Sequence, residues 1–267
     1  MILTLASMYI YPVKSLGGLS LRESLTTQRG LMYDRRFMVV DDAGGFLTQR
    51  ALPAMATIWT DIEDGMLTLA APDLDTVSVP LQPAHEAFFD VQVWSSTVRA
   101  HEVSPEANRF LSNYLGINCR LVYMPDASER KVSTDYAKNA EIVSFADGYP
   151  FLLVSEESLA DLNSRMTQPI PMNRFRPNLV VRGCAPYAED TWKEIRIGDA
   201  TFRIAKPCTR CQITTTDQAT GEALGPEPLR ALATYRNSPE GVMFAQNALP
   251  VRLGKIRVGD AVEILSS

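Results

Sequence analysis

Cysteine and histidine are scarce in this 267-residue chain, with four of the first and two of the second. Four cysteines (Cys119, Cys184, Cys208 and Cys211) are too few to staple a chain of this length. A disulfide scaffold is therefore excluded, and a reducing compartment, the cytoplasm, is expected. An excess of basic residues is missing too. The formal net charge of -5 argues against wholesale binding of nucleic acid or of an anionic membrane surface, both of which select a basic face. No apolar run approaches the ~20 residues that a membrane span needs. The opening segment, Met1 to Ser15, has no basic region ahead of its apolar residues and reads as a first strand rather than a signal peptide. Neither G-x-G-x-x-G nor a P-loop occurs, which removes the usual nucleotide cradles. What is present is an ordinary globular balance, 46% hydrophobic and 21% charged, with length enough for two modest domains or one large β-rich one.

The first half reads as β. Met1 to Tyr11 is closed by Pro12, and Arg36 to Asp41 is followed by the turn Asp42-Ala-Gly-Gly45. Phe46 to Arg50, Ala56 to Ile62, Met66 to Ala70, Leu74 to Leu81 and the Asp90 to Glu102 region continue the series of strands. Asp64-Gly65 marks a tight hairpin. Many short strands separated by turn residues predict an antiparallel barrel or sandwich. Ser104 to Leu115 then carries a capping Ser, a Pro at the first helical position and apolar residues at helical spacing, stopped by Gly116. A second helix is predicted from Ser155 to Arg165, with acids in its first turn. Strands return at Asn178 to Arg182, Glu194 to Ile197, Ala200 to Ala205 and Gln212 to Thr216, with a closing pair around Arg252 and Val262. Ile197-Gly-Asp and Val258-Gly-Asp each turn one strand into the next. The fold class is thus mainly β with a few helices. A domain boundary is expected between the first helix and Ser144, across the polar stretch Pro125 to Lys138.

Chemistry gathers at Lys206-Pro-Cys-Thr-Arg-Cys-Gln-Ile-Thr-Thr-Thr216. A C-x-x-C has several readings. Structural zinc wants four N or S ligands, and the chain offers only isolated Cys119, Cys184, His85 and His101 besides this pair. A thioredoxin-type pair belongs at a helix N-terminus, whereas strand formers follow here. The third reading is a single thiolate holding a soft metal beside a structural neighbour, and the blandest is two thiols that pack as small apolar groups. Arg210 would favour the thiolate of Cys211 and attract an anionic ligand.

Charge is also unevenly spread. From Arg165 to Arg210 there are nine basic residues against four acids, a local +5 in an acidic protein. Much of that is expected to be a solvated face. Arg174-Phe-Arg176-Pro-Asn178, however, leads directly into an apolar strand, where arginine forks are positioned rather than loose, and such forks suit a phosphate or a pterin anion.

Five segments together resemble a known family. Tyr11-Pro-Val-Lys-Ser15, Asp34-Arg-Arg-Phe37, Ser144 to Phe151, Asn173 to Asn178 and Lys206 to Thr215 are similar, in order and over the whole chain, to the MOSC domain proteins. That group includes the mitochondrial amidoxime-reducing components and the bacterial YcbX-like proteins. The resemblance implies two β-barrel-like domains, an N-terminal barrel at 1–120 and a MOSC domain at 121–267, with a molybdenum cofactor held between them. It implies that Cys211 ligates molybdenum, the remaining ligands being the pterin dithiolene and oxo groups. Lys14, Ser15 and Arg36 from the first domain, and Arg176, Asn178, Thr209 and Arg210 from the second, would contact the cofactor. Asp147, Gly148 and Tyr149 would line the site, with Asp147 and Cys211 as its catalytic residues. The implied function is reduction of N-hydroxylated compounds such as amidoximes, hydroxylamines and N-hydroxylated bases, a detoxification chemistry. The alternative is a carrier that uses Cys211 to hold sulfur or deliver the cofactor. Longer YcbX-like proteins add a ferredoxin-type domain, and no such cysteine set occurs in these 267 residues. A separate electron-donor protein, a flavoprotein or an iron–sulfur reductase, is therefore expected. Cys208 is expected to be structural, and no role follows for Cys184.

Overall fold

Alternating burial along short segments builds this molecule from strands, and local hydrogen bonds decide where each one stops. The computed structural model describes residues 2–84, 88–133, 135–137 and 139–267. Met1, His85 and Lys138, all named above, lie outside the described residues. In chain order the first elements are β1 (Thr4–Ile10), β2 (Leu19–Leu21), β3 (Glu23–Thr27), β4 (Gly30–Leu31) and β5 (Phe37–Val40). They are followed by β6 (Trp59–Glu63), β7 (Met66–Ala70), β8 (Val77–Pro80), β9 (Phe89–Val93), β10 (Ser96–Glu102) and α1 (Pro105–Leu115). Next come β11 (Arg120–Tyr123), β12 (Phe151–Ser155), α2 (Glu156–Ser164), β13 (Leu179–Arg182), β14 (Glu194–Ile197) and β15 (Ala200–Thr209). The chain closes with α3 (Leu229–Ala233), β16 (Asn237–Ser238), β17 (Gly241–Arg252), β18 (Lys255–Arg257) and β19 (Val262–Ser266).

The turn and cap chemistry reads through directly. Asp64 and Gly65 take φ of 48° and 76°, the left-handed pair that a two-residue hairpin between β6 and β7 requires. Ser104 Oγ accepts from the Ala107 amide at the start of α1, and Gly116 ends that helix at φ 68°. Ser155 caps α2 in the same way.

Two expected strands are not strands. After a single bridge from Phe46 to Val40, the segment to Arg50 curls, because Thr48 Oγ1 accepts from the Arg50 amide and Thr48 O accepts from the Ala51 and Leu52 amides. Gln212–Thr215 is a 3₁₀ turn in spite of its β-branched residues. There Thr214 Oγ1 and Thr215 Oγ1 donate back to the carbonyls of Cys211 and Gln212, three residues earlier, which folds the chain onto itself.

Strands β19-β14-β15-β17-β12-β13-β1-β2 form one long sheet, with β16 added to β17. β1 pairs antiparallel with β13, so the start of the chain is a strand in the sheet of its second half. β5-β11-β10-β9, β6-β7-β8 and β18-β3-β4 make smaller sheets. One core gathers Val13, Phe37, Leu67 and Leu121, and another gathers Leu5, Met8, Phe151 and Phe202. Tyr33 and Ile62 pack against both, which couples the two bodies of the fold. The pairing of β15 with β17 slips three times, the last between Pro207 and Thr209. Such irregularities bend a strand and re-aim its side chains, and this one carries Cys208 toward the seam between the sheets.

Candidate functional site

The seam opens into a cleft of about 300 Å³. Lys14 and Ser15 follow β1, Asp147 to Tyr149 precede β12, Arg176 and Asn178 precede β13, and Thr209 to Cys211 leave β15. All ten of these residues, predicted from the sequence, line the one cleft. Arg36 is the exception. Its guanidinium lies over the Tyr123 ring and donates to Met124 O and Asp126 Oδ1, and it does not line the cleft. Arg35 lines the cleft instead, because a left-handed φ of 48° turns it to the opposite side from its neighbour.

Backbone strain concentrates here. Of ten non-glycine residues with positive φ among the described residues, Ser15, Arg35, Trp94 and Arg176 line the cleft. Each such conformation costs about 1–2 kcal/mol and persists only where the surroundings over-determine it. The surroundings do so with hydrogen bonds. Arg35 Nη1 donates to Asp34 Oδ2 at 2.7 Å and to Asn178 Oδ1 at 3.1 Å, and Arg35 Nη2 donates to Arg176 O at 3.3 Å. The Tyr11 ring carries both Arg35 and Arg176, at 4.3 and 4.1 Å from its centroid. Burial pushes the Tyr11 hydroxyl up to about 12, so it stays a neutral donor, here to Pro177 O. Gly18 makes this stacking possible, since a Cβ there would sit 2.4 Å from the Tyr11 ring.

Two residues bind the wall containing Asp147. Lys14, 5% exposed, donates from Nζ to Phe145 O at 2.9 Å and to Asp147 Oδ1 at 2.5 Å. Burial lowers the Lys14 ammonium, and Asp147 opposes that shift. Burial alone would raise the Asp147 carboxyl. The Lys14 ammonium and the Arg50 guanidinium outweigh it and hold the carboxyl well below the usual carboxylate range. Asp147 is therefore an ionised acceptor at neutral pH, and its side chain is still 58% exposed to incoming molecules.

Two arginines face the cleft with donors to spare. Arg176 Nη1 donates to Gln218 Oε1, while its Nη2 is buried without a partner. Arg210 donates from Nη1 to Cys208 Sγ and from Nη2 to Phe175 O, while its Nε is buried without a partner. A buried unmet donor on a cation is costly unless a ligand oxygen completes it, so this pair fits an anionic group. The bound group has room beside Gly148, where an added Cβ would meet no protein atom within 4 Å. Cys211 brings the one soft, partly exposed sulfur that the family motif assigns to a metal. Among the described residues no three His, Cys, Asp or Glu side chains converge, so the site offers a metal no protein cage of three or more such ligands. The residues present fit a molybdenum–pterin cofactor.

The remaining basic residues of the +5 stretch are mostly neutralised elsewhere. Arg165, Arg196, Arg203 and Lys206 pair with Asp161, Glu263, Glu141 and Glu240. Arg174 is 3% exposed and paired with Asp217, a structural role rather than a surface one. Sequence reasoning missed Arg50 and Trp94, which also line the cleft. Arg50 sits in the segment misread as a strand. Trp94 sits at the tip of the β9–β10 hairpin, inside a stretch read as continuous. Neither carries a sequence signal of its own.

Residues 2–118 match the MOSC N-terminal beta barrel domain and residues 140–263 match the MOSC domain. Mitochondrial amidoxime-reducing component 1 of Mus musculus is 35% identical over 98% of this chain and 82% of its own length. The Homo sapiens protein of that name is 32% identical over 98% of this chain and 83% of its own. A molybdenum cofactor sulfurase of Oryza sativa is 34% identical over 90% of this chain, which corresponds to 32% of that protein. Among the described residues no helix is long and apolar enough to cross a membrane. With both domains matched in order and amidoxime-reducing components similar over nearly all of this chain, the chain belongs to the MOSC domain family.

Proposed function

We propose that this protein is a molybdenum-cofactor-dependent reductase of N-hydroxylated compounds, with Cys211 as the protein ligand to the metal. The observation that carries the reading is the joint placement of the Cys211 sulfur and the unmet donors Arg176 Nη2 and Arg210 Nε in one cleft. Cys211 would hold the metal, and Arg176 and Arg210 the anionic part of the pterin. When bound, the cofactor supplies a two-electron centre. The overall change is R–C(=NOH)NH₂ + 2 e⁻ + 2 H⁺ → R–C(=NH)NH₂ + H₂O. Asp147, held ionised by Lys14 and Arg50, accepts a hydrogen bond from the substrate N–OH and orients it within the cleft. Buried Lys14 fixes that carboxylate in place. The protons come from solvent at the cleft mouth, and the electrons come from a separate flavoprotein or iron–sulfur reductase.

The similarity to a cofactor sulfurase supports a second reading, a carrier of sulfur or of the cofactor. One experiment separates the two. Protein from a molybdenum-replete host is assayed for bound molybdenum and for amidine formation with reduced viologen. Bound metal with turnover supports the reductase. Bound metal without turnover overturns it in favour of the carrier.

A further inference from the structure

Among the described residues, Arg50 is the one cation that reaches the Cys211 sulfur. Its Nη2 lies 3.3 Å from Cys211 Sγ and 3.4 Å from Asp147 Oδ2. Ion pairing alone does not explain the placement, because Asp147 is already held by Lys14 at 2.5 Å. Trp94 does explain it. The Arg50 guanidinium lies over the indole at 4.7 Å, and the indole Nε1–H donates to Asp147 Oδ1 at 3.2 Å. Phe46 also packs beside the indole, at 5.1 Å between ring centroids. Trp94 keeps this position in spite of φ 54° and 44% exposure, a combination that a bulky residue adopts only when its surroundings demand it. The backbone of Arg50 is pinned as well. Gln212 Nε2 donates to Arg50 O at 3.0 Å, and Gln49 next to it is bonded to Ser15 O and Gln218. A side chain from the first half of the chain is thus delivered onto a sulfur from the second half, and held there on three sides.

We propose that Arg50, carried by Trp94, is a positioning residue that donates a hydrogen bond to the Cys211 sulfur and sets its electron density and orientation. Donors to a ligating thiolate withdraw charge from it, and in sulfur-ligated metal sites such bonds raise the reduction potential. The effect on the metal rests on the reductase reading above. The contact with the sulfur does not.

The test therefore has two arms. In cofactor-free full-length protein, the rates at which iodoacetate and iodoacetamide alkylate Cys211 are measured by peptide mass. Their ratio cancels the thiolate population and reports positive charge beside the sulfur. Arg50→Met is expected to lower the iodoacetate-to-iodoacetamide ratio about fivefold at low ionic strength, and less in high salt. Trp94→Ala, which frees the guanidinium, is expected to lower it part of the way, and Arg50→Lys to restore most of it. Arg50→Gln serves in place of Arg50→Met should the latter fold poorly. In the loaded protein, Arg50→Met is expected to lower the midpoint potential of the metal with molybdenum content unchanged. An unchanged alkylation ratio in Arg50→Met or Gln overturns the contact, and an unchanged ratio in Trp94→Ala overturns the role of the indole. A normal potential in a loaded variant whose ratio has fallen overturns the tuning alone. Absence of molybdenum from the wild type counts against the reductase reading and leaves the alkylation arm to decide the contact.

Discussion

The side-chain amides of Gln49 and Gln218 exchange hydrogen bonds in both directions, at 3.1 and 3.0 Å, across the seam between the two halves of the chain. Gln49 is 1% exposed and also donates to Ser15 O, while Gln218 Oε1 accepts from Arg176 as well. One amide pair thus joins a first-half cleft residue to a second-half one. Removing Gln218 leaves the Gln49 Oε1 without its donor and Arg176 with one partner fewer, while Gln49 Nε2 keeps Ser15 O. Gln218→Ala is expected to cost about 1–3 kcal/mol. Thermal unfolding checks this, with a fall of several degrees expected at about 2–4 °C per kcal/mol. A midpoint within one degree of the wild type would show that the pair is dispensable.

The two cysteines of the motif are expected to behave differently. Both line the cleft, but Arg50 reaches the Cys211 sulfur, whereas the Cys208 sulfur accepts from Arg210 Nη1 at 3.0 Å. Cys211→Ala removes the sulfur assigned to the metal, so molybdenum retention and turnover should both vanish. Cys208→Ser keeps an acceptor for Arg210 and should leave substantial metal bound. Metal analysis of both variants is the check, and the reverse pattern would reassign the ligand.

Arg176 gives a graded prediction. Its unmet Nη2 is the donor available to a cofactor oxygen. Arg176→Leu removes a charge-assisted bond worth roughly 1.5–3 kcal/mol, so cofactor affinity should fall roughly tenfold or more. Arg176→Lys keeps the charge without the fork and should lie between. Pterin released from the purified variants measures this, and full occupancy in a folded Leu variant would make Arg176 purely structural.

The pH dependence of the Lys14–Asp147 pair follows from the direction of its shift. The folded-state carboxyl of Asp147 lies below its ordinary value of about 3.9. Its contribution to stability is therefore fully present above that ordinary value and is lost as pH falls through the folded one. Wild type and Asp147→Asn should differ by a constant amount in thermal midpoint above about pH 5, and the difference should shrink only in stronger acid. For the same reason an acid limb in turnover near neutral pH would belong to another group. A stability difference that already faded near pH 6 would contradict the ionised state assigned to Asp147.

How much of this was legible in advance depends on the kind of signal. Local chemistry was readable, since the Asp64-Gly65 hairpin and the Ser104 and Gly116 caps act through their own backbone. The motif residues were readable as a set, and ten of them line one cleft. Parity at a strand end was not. Arg35 and Arg36 are adjacent in one motif, and only the left-handed turn at Arg35 selects which of them faces inward. Threonine hydroxyls that bond back to carbonyls also defeated a β-propensity reading at Gln212 to Thr216. Arg50 and Trp94 carry no local signature, because their role arises from contacts with residues 97 and 53 positions away.

Electron supply gives the last prediction. The 267 residues hold no nicotinamide or flavin motif and no cluster-binding set of cysteines, and the four cysteines are free. A hydride from NADPH must be split into single electrons by a bound flavin or its equivalent before a metal centre accepts them one at a time. Among the described residues, the cleft lining also includes no helix N-terminus that could take a dinucleotide. Its lining comes from strand ends, loops and 3₁₀ turns. The purified, molybdenum-loaded chain should therefore form no amidine from an amidoxime with NADPH alone. Reduced viologen, or an added flavoprotein or iron–sulfur reductase with NADPH, should start turnover, and the Cys211→Ala variant should remain inactive under every condition. Amidine formed is followed by chromatography against time. Turnover with NADPH alone would reveal a redox centre in the chain that its sequence does not announce.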